Sequence, residues 1–446
     1  MSEVIDAYNC ELPNDWEMKT IDDLATRVGS GITPRGGSDE YKDDGTIFIR
    51  SQNVQFAGLD LLDVAFIDEK THQSMRASEV LPFDVLLNIT GASIGRCCYV
   101  PDGLGQANQN QHVCTIRLPD PNRDDSKYLS SVFASPIGQY QIIRLNAGGN
   151  REGLNYQQLR SFRIPWPATP VRAKIARILT TVDNQIEKTE ALIEKYKAIK
   201  QGMMHDLFTR GVDQNGKLRP PYEEAPHLYK ESPLGWIPKE WDTDQLQNKT
   251  RQIIDGTHHT PTYIPDGVPF LRVTDIQTED VDFKRLKYIS AAEHRVLAAR
   301  VLPKRGDLLL SKNGTIGIPK IVNWDWEFSI FVSLALIRPI EDELPVKYLE
   351  HLIQSDIVWR QIRQRSKQGT VTNLHLEEIR ELVIPLPDTK EMTWITERLD
   401  IVNCRIRSES NFLEFLSTLK TGLMQDLLTG KVRVKVEEVE EELTNA

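Results

Sequence analysis

Residues 127–167 read KYLSSVFASPIGQYQIIRLNAGGNREGLNYQQLRSFRIPWP, and residues 347–387 read KYLEHLIQSDIVWRQIRQRSKQGTVTNLHLEEIRELVIPLP. The two stretches align without a gap at an offset of 220 residues, and thirteen of their forty-one positions are identical. The same offset continues to KQGMMHDLFT at 200–209 and KTGLMQDLLT at 420–429. A repeat of this length is too long for a solenoid unit and predicts a duplicated domain. Two similar modules on one chain can read two similar objects at a fixed separation.

Both halves of the chain follow one plan. Each opens on a segment that contains proline and ends in tryptophan, LPNDW at 12–16 and IPKEW at 237–241. Short apolar runs punctuated by Gly and Asn follow, and such runs are typical of strands joined by turns. The stretch closes on IPWP or IPLP, where the prolines end the preceding structure. We therefore predict a mixed α/β (α+β) fold with two strand-rich domains and an internal pseudo-two-fold repeat.

A long helix is predicted after each strand-rich domain. Apolar residues recur there at alternating spacings of four and three, the 3.5-residue period of a coiled coil. About 35 helical residues would span roughly 50 Å. The preferred interpretation is an antiparallel pair of the two helices, and the alternative is that each helix packs on its own domain. The predicted apolar seam is Ile175, Leu179, Val182, Ile186, Ile193, Met203 and Leu207, facing Ile395, Leu399, Val402, Ile406, Leu413, Leu416, Leu423 and Leu427.

The repeat divides the chain into six predicted segments. The proline-containing linker is expected to be an extended connector, and the tail is rich in glutamate. The segments are residues 1–170 and 236–388 (strand-rich domains), 171–210 and 389–430 (long helices), 211–235 (linker) and 431–446 (acidic tail).

Composition limits the possible classes of protein. The 446 residues are 40% hydrophobic and 26% charged, which is ordinary for a globular chain. The longest apolar run, FSIFVSLALI at 328–337, is too short to span a bilayer, so no membrane partner is expected. A net charge of −10 argues against a tight DNA binder acting alone. The start of the chain lacks a signal-peptide pattern, and five cysteines without ligand spacing predict reduced thiols in the cytoplasm and no bound metal.

No catalytic or cofactor-binding motif stands out. The phosphate-loop, zinc-protease and serine-hydrolase patterns are all missing from the sequence. The tetrapeptide RPPY at 219–222 is similar to the Asn/Asp-Pro-Pro-aromatic motif of adenine methyltransferases. Arg219, however, has no acceptor for an adenine amino group. His258 and His259 are adjacent and would point to opposite faces of a strand, so one metal ion would rarely bind both.

The polar loops of the repeated domain are the candidate binding sites. Asn and Gln can pair with adenine edges, and Arg and Lys with guanine, although the same residue types also favour turns. The framework matches between the halves while these loops differ, which predicts two different targets. The candidates for DNA contact are Thr33, Arg35, Gln52, Asn53, Thr90, Ser93, Asn108, Asn110, Arg151 and Asn155 in the first half, and His258, His259, Thr260, Arg272, Thr274, Lys312, Asn313, Lys367, Gln368 and Thr370 in the second.

The chain resembles the specificity subunit of type I restriction-modification systems. The Trp-ending openings, the paired IPxP closures and the helix endings KQGMMHDLFT and KTGLMQDLLTGKVRV carry the resemblance. It implies two target-recognition domains that each read half of a bipartite double-stranded DNA site. It also implies that the helix pair sets the half-site spacing and docks two methyltransferase subunits. S-adenosylmethionine would then be bound by those adenine methyltransferases, ATP and Mg by restriction subunits, and no cofactor by this non-catalytic chain.

Other functions remain open at this point. A coiled-coil scaffold that binds proteins would show no salt-dependent binding to duplex DNA. A repressor acting alone would bind DNA tightly without a methyltransferase. A restriction-methyltransferase fusion would need catalytic motifs that the sequence lacks.

Overall fold

The computed structural model describes residues 12–146, 153–278, 280–365 and 373–436. The chain forms two compact units, and each is described by itself. Unit 1 comprises Met1–Ala191 with Ser410–Ala446, and unit 2 comprises Leu192–Glu409. The boundary of both units falls within the two long helices, so each helix contributes one part to each unit.

Unit 1 is built on two four-stranded sheets. Their strand orders are β2-β11-β8-β9 and β6-β3-β10-β7, and β3 and β10 are parallel while the other pairs are antiparallel. Two small antiparallel pairs, β1-β12 and β4-β5, complete it. The elements are β1 (Glu17–Thr20), α1 (Ile21–Leu24), β2 (Arg27–Ser30), β3 (Thr46–Ile49), β4 (Val54–Gln55), β5 (Gly58–Leu59), β6 (Ala65–Ile67), α2 (Glu69–Ser74), β7 (Glu79–Val80), β8 (Val85–Asn88), β9 (Cys97–Tyr99), β10 (Ala107–Gln109), β11 (Val113–Arg117), α3 (Arg123–Ala134), α4 (Pro136–Asn146), α5 (Tyr156–Arg160) and β12 (Arg163–Trp166).

Unit 2 repeats this plan. Its elements, with the two long helices, are α6 (Thr169–Thr209), β13 (Tyr229–Ser232), β14 (Gly235–Pro238), β15 (Asp242–Gln245), β16 (Thr250–Asp255), β17 (Val268–Leu271), β18 (Lys287–Ile289), α7 (Ala291–Arg300), β19 (Leu308–Ser311), β20 (Pro319–Ile321), β21 (Ser329–Ile330), β22 (Leu334–Pro339), α8 (Val346–Ile353), α9 (Asp356–Arg365), α10 (Leu376–Arg380), β23 (Val383–Leu386) and α11 (Thr389–Leu428). The order β16-β22-β19-β20 matches β2-β11-β8-β9, and β18-β17-β21 matches β6-β3-β10. The duplicated framework predicted from the sequence is therefore present as two mixed α/β units.

Helices α6 and α11 are 41 and 40 residues long, about 60 Å each at 1.5 Å per residue. Pro170 stands in the first turn of α6, where its missing N–H removes no helical hydrogen bond. Gly202 and Gly422 lie inside the helices and break neither. The predicted helices are thus confirmed and extend slightly beyond the expected 35 residues.

The two helices pack in opposite directions within each unit. In unit 1 the early residues Ile175 and Leu179 of α6 share a core with the late residue Leu427 of α11. In unit 2 the late residue Leu207 of α6 shares a core with Ile395 and Leu399 from the start of α11. The seam is buried at Ile175, Leu179, Val182, Ile193, Leu207, Ile395, Leu399, Val402, Leu416 and Leu427, and half-buried at Ile186, Met203, Ile406, Leu413 and Leu423.

The linker is more structured than an extended connector. A strand, β13, forms within it and pairs with β14 as a hairpin. Arg219, the first residue of the RPPY tetrapeptide, is 8% exposed and bonded to Glu391 of α11. The prediction of an extended linker is therefore corrected. The linker folds against α11, because the buried charge of Arg219 needs a paired partner and finds it in Glu391.

The thiols of the described cysteines differ in exposure. Cys97, Cys98 and Cys114 are free and buried, and Cys404 is free and exposed. Burial raises the pKa of Cys98 and of Cys114 to about 12, so both thiols stay protonated at neutral pH. In the described parts of the chain, no helix is long and apolar enough to span a membrane.

Candidate nucleic-acid interface

Four loops of unit 1 meet at one end of the β2-β11-β8-β9 sheet, and we name this set loop end 1 (residues 30–35, 89–96, 109–112 and 153–156). The N–H of Ile32 donates to the carbonyl of Gln109 at 3.2 Å. The hydroxyl of Thr90 lies 2.6 Å from Nδ1 of His112. The N–H of Leu154 donates to the carbonyl of Ile89 at 2.8 Å. These bonds join segments that are far apart in sequence into one continuous surface.

Unit 2 has the corresponding set, loop end 2 (residues 255–260, 311–317, 330–333 and 373–375). The N–H of Thr257 donates to the carbonyl of Ile330 at 3.1 Å. The N–H of Lys312 donates to the carbonyl of Ser333 at 2.9 Å, and the N–H of Leu374 donates to the carbonyl of Lys312 at 2.8 Å. The backbone of the two loop ends is therefore equivalent, while the side chains differ.

A glycine makes the same close crossing in both loop ends. A Cβ atom on Gly31 would lie 1.6 Å from the carbonyl oxygen of Gln109. A Cβ atom on Gly256 would lie 1.9 Å from the carbonyl oxygen of Ile330. Because any side chain would collide with backbone there, only glycine lets the loop cross the neighbouring strand.

Several predicted contact residues are available at the surface of the loop ends. Arg35 and Asn155 are exposed and Thr33, Thr90 and Ser93 are half-buried in loop end 1. His258, His259 and Thr260 are exposed and Asn313 is half-buried in loop end 2. Loops held by a rigid sheet are suited to presenting such groups to a ligand. Arg151, Lys367, Gln368 and Thr370 lie outside the described residues.

Two predicted base-reading asparagines of unit 1 are corrected. Asn53 is 2% exposed, and its amide donates to the carbonyls of Asp60 and Asp63 at 2.9 and 3.0 Å. Asn108 is fully buried, with its Oδ1 atom 2.6 Å from Nδ1 of His72. These amides satisfy internal polar groups, so neither has free hydrogen-bonding capacity to offer to a base.

Four further predictions are weakened or corrected on the same grounds. Asn110 is 7% exposed, and its Oδ1 atom accepts from the N–H of His112. Lys312 is 6% exposed and pairs with a buried aspartate, so its prediction as a direct reader is corrected. Arg272 forms two bonds of 3.1 Å to Asp275, in a turn that also places Thr274 at the surface. The amide of Gln52 is exposed but bonded to Asp63 at 2.7 Å.

The structure also adds residues that the sequence reasoning missed. Tyr156 is 42% exposed in loop end 1, and its hydroxyl accepts from the N–H of Ser30 at 3.0 Å. Arg300, the last residue of α7, contacts loop end 2, where its Nη2 atom donates to Asp255 Oδ1 at 2.8 Å. An acidic residue directly before the crossing glycine, in IIDG, is the one sequence signal that could have drawn attention to Asp255.

The described residues offer no arrangement suited to a metal. Within those ranges no group of three His, Cys, Asp or Glu side chains is placed to hold an ion. The two loop ends provide hydroxyl, imidazole, amide and guanidinium groups on loops that are held in place by backbone hydrogen bonds. Those groups can bind base edges and phosphates of DNA.

Known proteins are similar to this chain in sequence and in fold. A family model described as the type I restriction modification DNA specificity domain matches residues 13–197. The putative type I restriction enzyme MjaX specificity subunit of Methanocaldococcus jannaschii is 24% identical over 444 residues, which cover 95% of each chain. The type I restriction enzyme EcoBI specificity subunit of Escherichia coli is 24% identical over 403 residues, covering 87% of this chain and 79% of its own.

A solved structure extends the likeness to the fold. The crystal structure of the type I restriction-modification S subunit from M. genitalium superposes with a TM-score of 0.58 at 16% identity, covering 94% of this chain and 98% of the other. The chain is thus similar in sequence to specificity subunits of type I restriction-modification systems, with a specificity domain matched over residues 13–197 and relatives that align over nearly the whole chain, and it shares the fold of a solved S subunit.

Proposed function

We propose that this chain is the non-catalytic DNA-reading subunit of its complex, and that loop ends 1 and 2 each read one half of a bipartite site. The observation that carries the proposal is the pairing of equivalent backbones with different side chains. Thr33 and Arg35 follow the crossing glycine of unit 1, whereas His258 and His259 follow that of unit 2. Two dissimilar readers on one scaffold account for an asymmetric target.

The helix pair would set the half-site spacing and dock two methyltransferase subunits. This role is supported by the two long helices, since α6 and α11 each contribute to both units and share an apolar core within each of them. Half-sites on one face of the duplex would lie about one helical turn apart, roughly 34 Å. Methylation of adenine N6 requires a base flipped into an enclosed pocket. The partners would supply that pocket with S-adenosylmethionine, and ATP-dependent restriction subunits would join through them.

The Arg35 side chain tests the proposal in unit 1. We expect Arg35→Ala to relax discrimination at one base pair of one half-site, at a cost of about 1–3 kcal/mol, and to leave the other half-site unchanged. The measurement is binding of the complex with its methyltransferase subunits to duplexes that carry single base-pair changes.

Arg123→Ala is the matched control. Arg123 is exposed at the start of α3, which follows the last residue of β11, whereas His112 of loop end 1 directly precedes the first. Equal weakening on every duplex would identify Arg35 as a phosphate contact. A wild-type complex whose affinity did not depend on salt would instead favour the protein-binding scaffold.

A further inference from the structure

Three basic side chains surround one buried carboxylate in loop end 2. Asp255, at the end of β16, is 3% exposed. Its Oδ1 atom accepts from Arg300 Nη2 at 2.8 Å and lies 3.3 Å from Nε2 of His258. Its Oδ2 atom lies 3.2 Å from Nζ of Lys312. The three partners come from the end of α7, from the loop after β16 and from the residue after β19, so the carboxylate ties three segments together.

The charges in this group do not cancel. Arg300 and Lys312 carry two formal positive charges against the single negative charge of Asp255. The side chain of Lys312 is 7% exposed, whereas those of Arg300 and His258 are 49% and 64% exposed. The surplus positive charge is therefore presented to solvent by Arg300, beside the exposed His258, while the Lys312 ammonium lies buried against the same carboxylate.

Unit 1 shows that the fold does not need these charges. Ile89 occupies the place of Lys312 and has the same two backbone bonds, donating to His112 at 3.0 Å and accepting from Leu154 at 2.8 Å. Ser30 precedes the crossing glycine where unit 2 has Asp255. An apolar residue can replace a buried ion pair at little or no cost in stability. Unit 2 has the Asp255–Lys312 ion pair where unit 1 has serine and isoleucine on the same backbone. Because stability does not require the pair, its presence points to a role in binding.

The form of the group suits an anion. The guanidinium of Arg300 has five N–H donors in a planar fork, of which Nη2 is fixed by Asp255. Fixing one arm leaves the rest of the fork oriented, and this geometry matches the oxygens of a phosphate. Preorganisation also lowers the entropy lost when the side chain is immobilised on binding.

We propose that Asp255 is a positioning residue that holds Arg300, supported by Lys312 and His258, as a contact for a DNA backbone phosphate at the half-site read by unit 2. The inference rests on the proposed function, since it names the part of the duplex that loop end 2 grips. Loop end 1 has serine and isoleucine at the equivalent positions and lacks this contact. The two half-sites are thus held by different chemistry on one scaffold.

Arg300→Gln tests the contact, with Arg305→Gln as the matched control. Arg305 lies at the opposite end of β19 from Lys312, and its exposed side chain pairs with Asp325 at 2.8 Å. Each phosphate contact contributes about 0.9 to the slope of log affinity against log salt. We expect Arg300→Gln to reduce the slope by about that amount, which is about a 3.5-fold difference in affinity across a fourfold salt range. Arg305→Gln should leave the slope unchanged.

The double variant Asp255→Ser with Lys312→Ile tests the positioning role, because it installs the residues of unit 1. We expect a melting temperature close to the wild type and a salt slope reduced as in Arg300→Gln, although Arg300 is still present. Binding is measured on the complex of this chain with its methyltransferase subunits. One duplex carries the motif that the complex methylates, and the other is an unrelated duplex of equal length. If the double variant does not fold, Asp255→Asn takes its place, since it removes the charge that holds Arg300 and keeps the shape of the side chain; an unchanged salt slope in the variant that folds would overturn the positioning role.

The outcomes separate this inference from the proposed function. If Arg300→Gln and Arg305→Gln had the same slope of log affinity against log salt, the phosphate contact would be overturned. Loss of discrimination at a single base pair would also overturn it, in favour of base reading by Arg300. A wild-type complex that bound both duplexes without salt dependence would reject the proposed function itself.

Discussion

Replacing Leu399 by aspartate will unfold unit 2 or leave it barely stable. Leu399 is fully buried on α11, in the core that also contains Ile395 and Leu207 of α6. Truncating a buried leucine to alanine already costs about 2–5 kcal/mol, and placing an unpaired carboxylate there adds to that cost. The total should be at least about 5 kcal/mol, which approaches the whole stability of a typical domain. Urea unfolding of the purified chain, or its failure to accumulate in soluble form, measures this.

Ile401→Asp is the control on the same helix. Ile401 is 63% exposed, and it lies two residues from Leu399 on a different face of α11. The control should shift the urea midpoint only slightly, because an exposed position leaves the new charge hydrated. Similar midpoints for the two variants would contradict the predicted seam between α6 and α11.

Replacing Glu391 by alanine will also destabilise unit 2 strongly. Its Oε1 atom accepts from Arg219 Nη1 at 2.5 Å and from the N–H of Val212 at 2.7 Å. Its Oε2 atom accepts from the indole N–H of Trp241 at 3.0 Å. Removing one partner of a buried ion pair costs about 3–5 kcal/mol, because the remaining charge is left uncompensated. Thermal melting should show a large drop for Glu391→Ala.

Glu397→Ala removes the same side chain from an exposed position of α11 and serves as the control. It should melt close to the wild type, since substitutions at exposed surface positions usually change stability by less than about 0.5 kcal/mol. If Glu391→Ala melted at the same temperature as the control, the bonds from Arg219 and Val212 would not be holding the linker against α11.

The repeat and the helices could be predicted from the sequence because both signals are local or directly comparable. A heptad seam depends only on spacing along one helix, so Leu179 and Leu399 could be identified without knowledge of their partners. The duplicated framework could be read from one stretch aligned on the other. Arg219 could not be interpreted in this way. Its partner Glu391 is 172 residues away, and their pairing depends on how the linker folds back on α11.

The candidate site was predicted less completely, for a physical reason. An asparagine amide that reads a base and one that satisfies a buried carbonyl look the same in sequence, and only burial separates them. Asn108 and Lys312 were therefore offered as readers although both are buried. Asp255 and Arg300 were missed because their partnership joins β16 to α7 through tertiary structure. Arg35 and His258 remain predictions of DNA contact on exposed loops.

The most direct test of the account is sequencing of N6-methyladenine in DNA from cells that express this chain together with its methyltransferase subunit. The control is cells that express the methyltransferase subunit alone. The account predicts a bipartite motif of two dissimilar half-sites, methylated only when this chain is present. Unchanged methylation despite an assembled complex would contradict a DNA-reading role and favour a protein-binding scaffold.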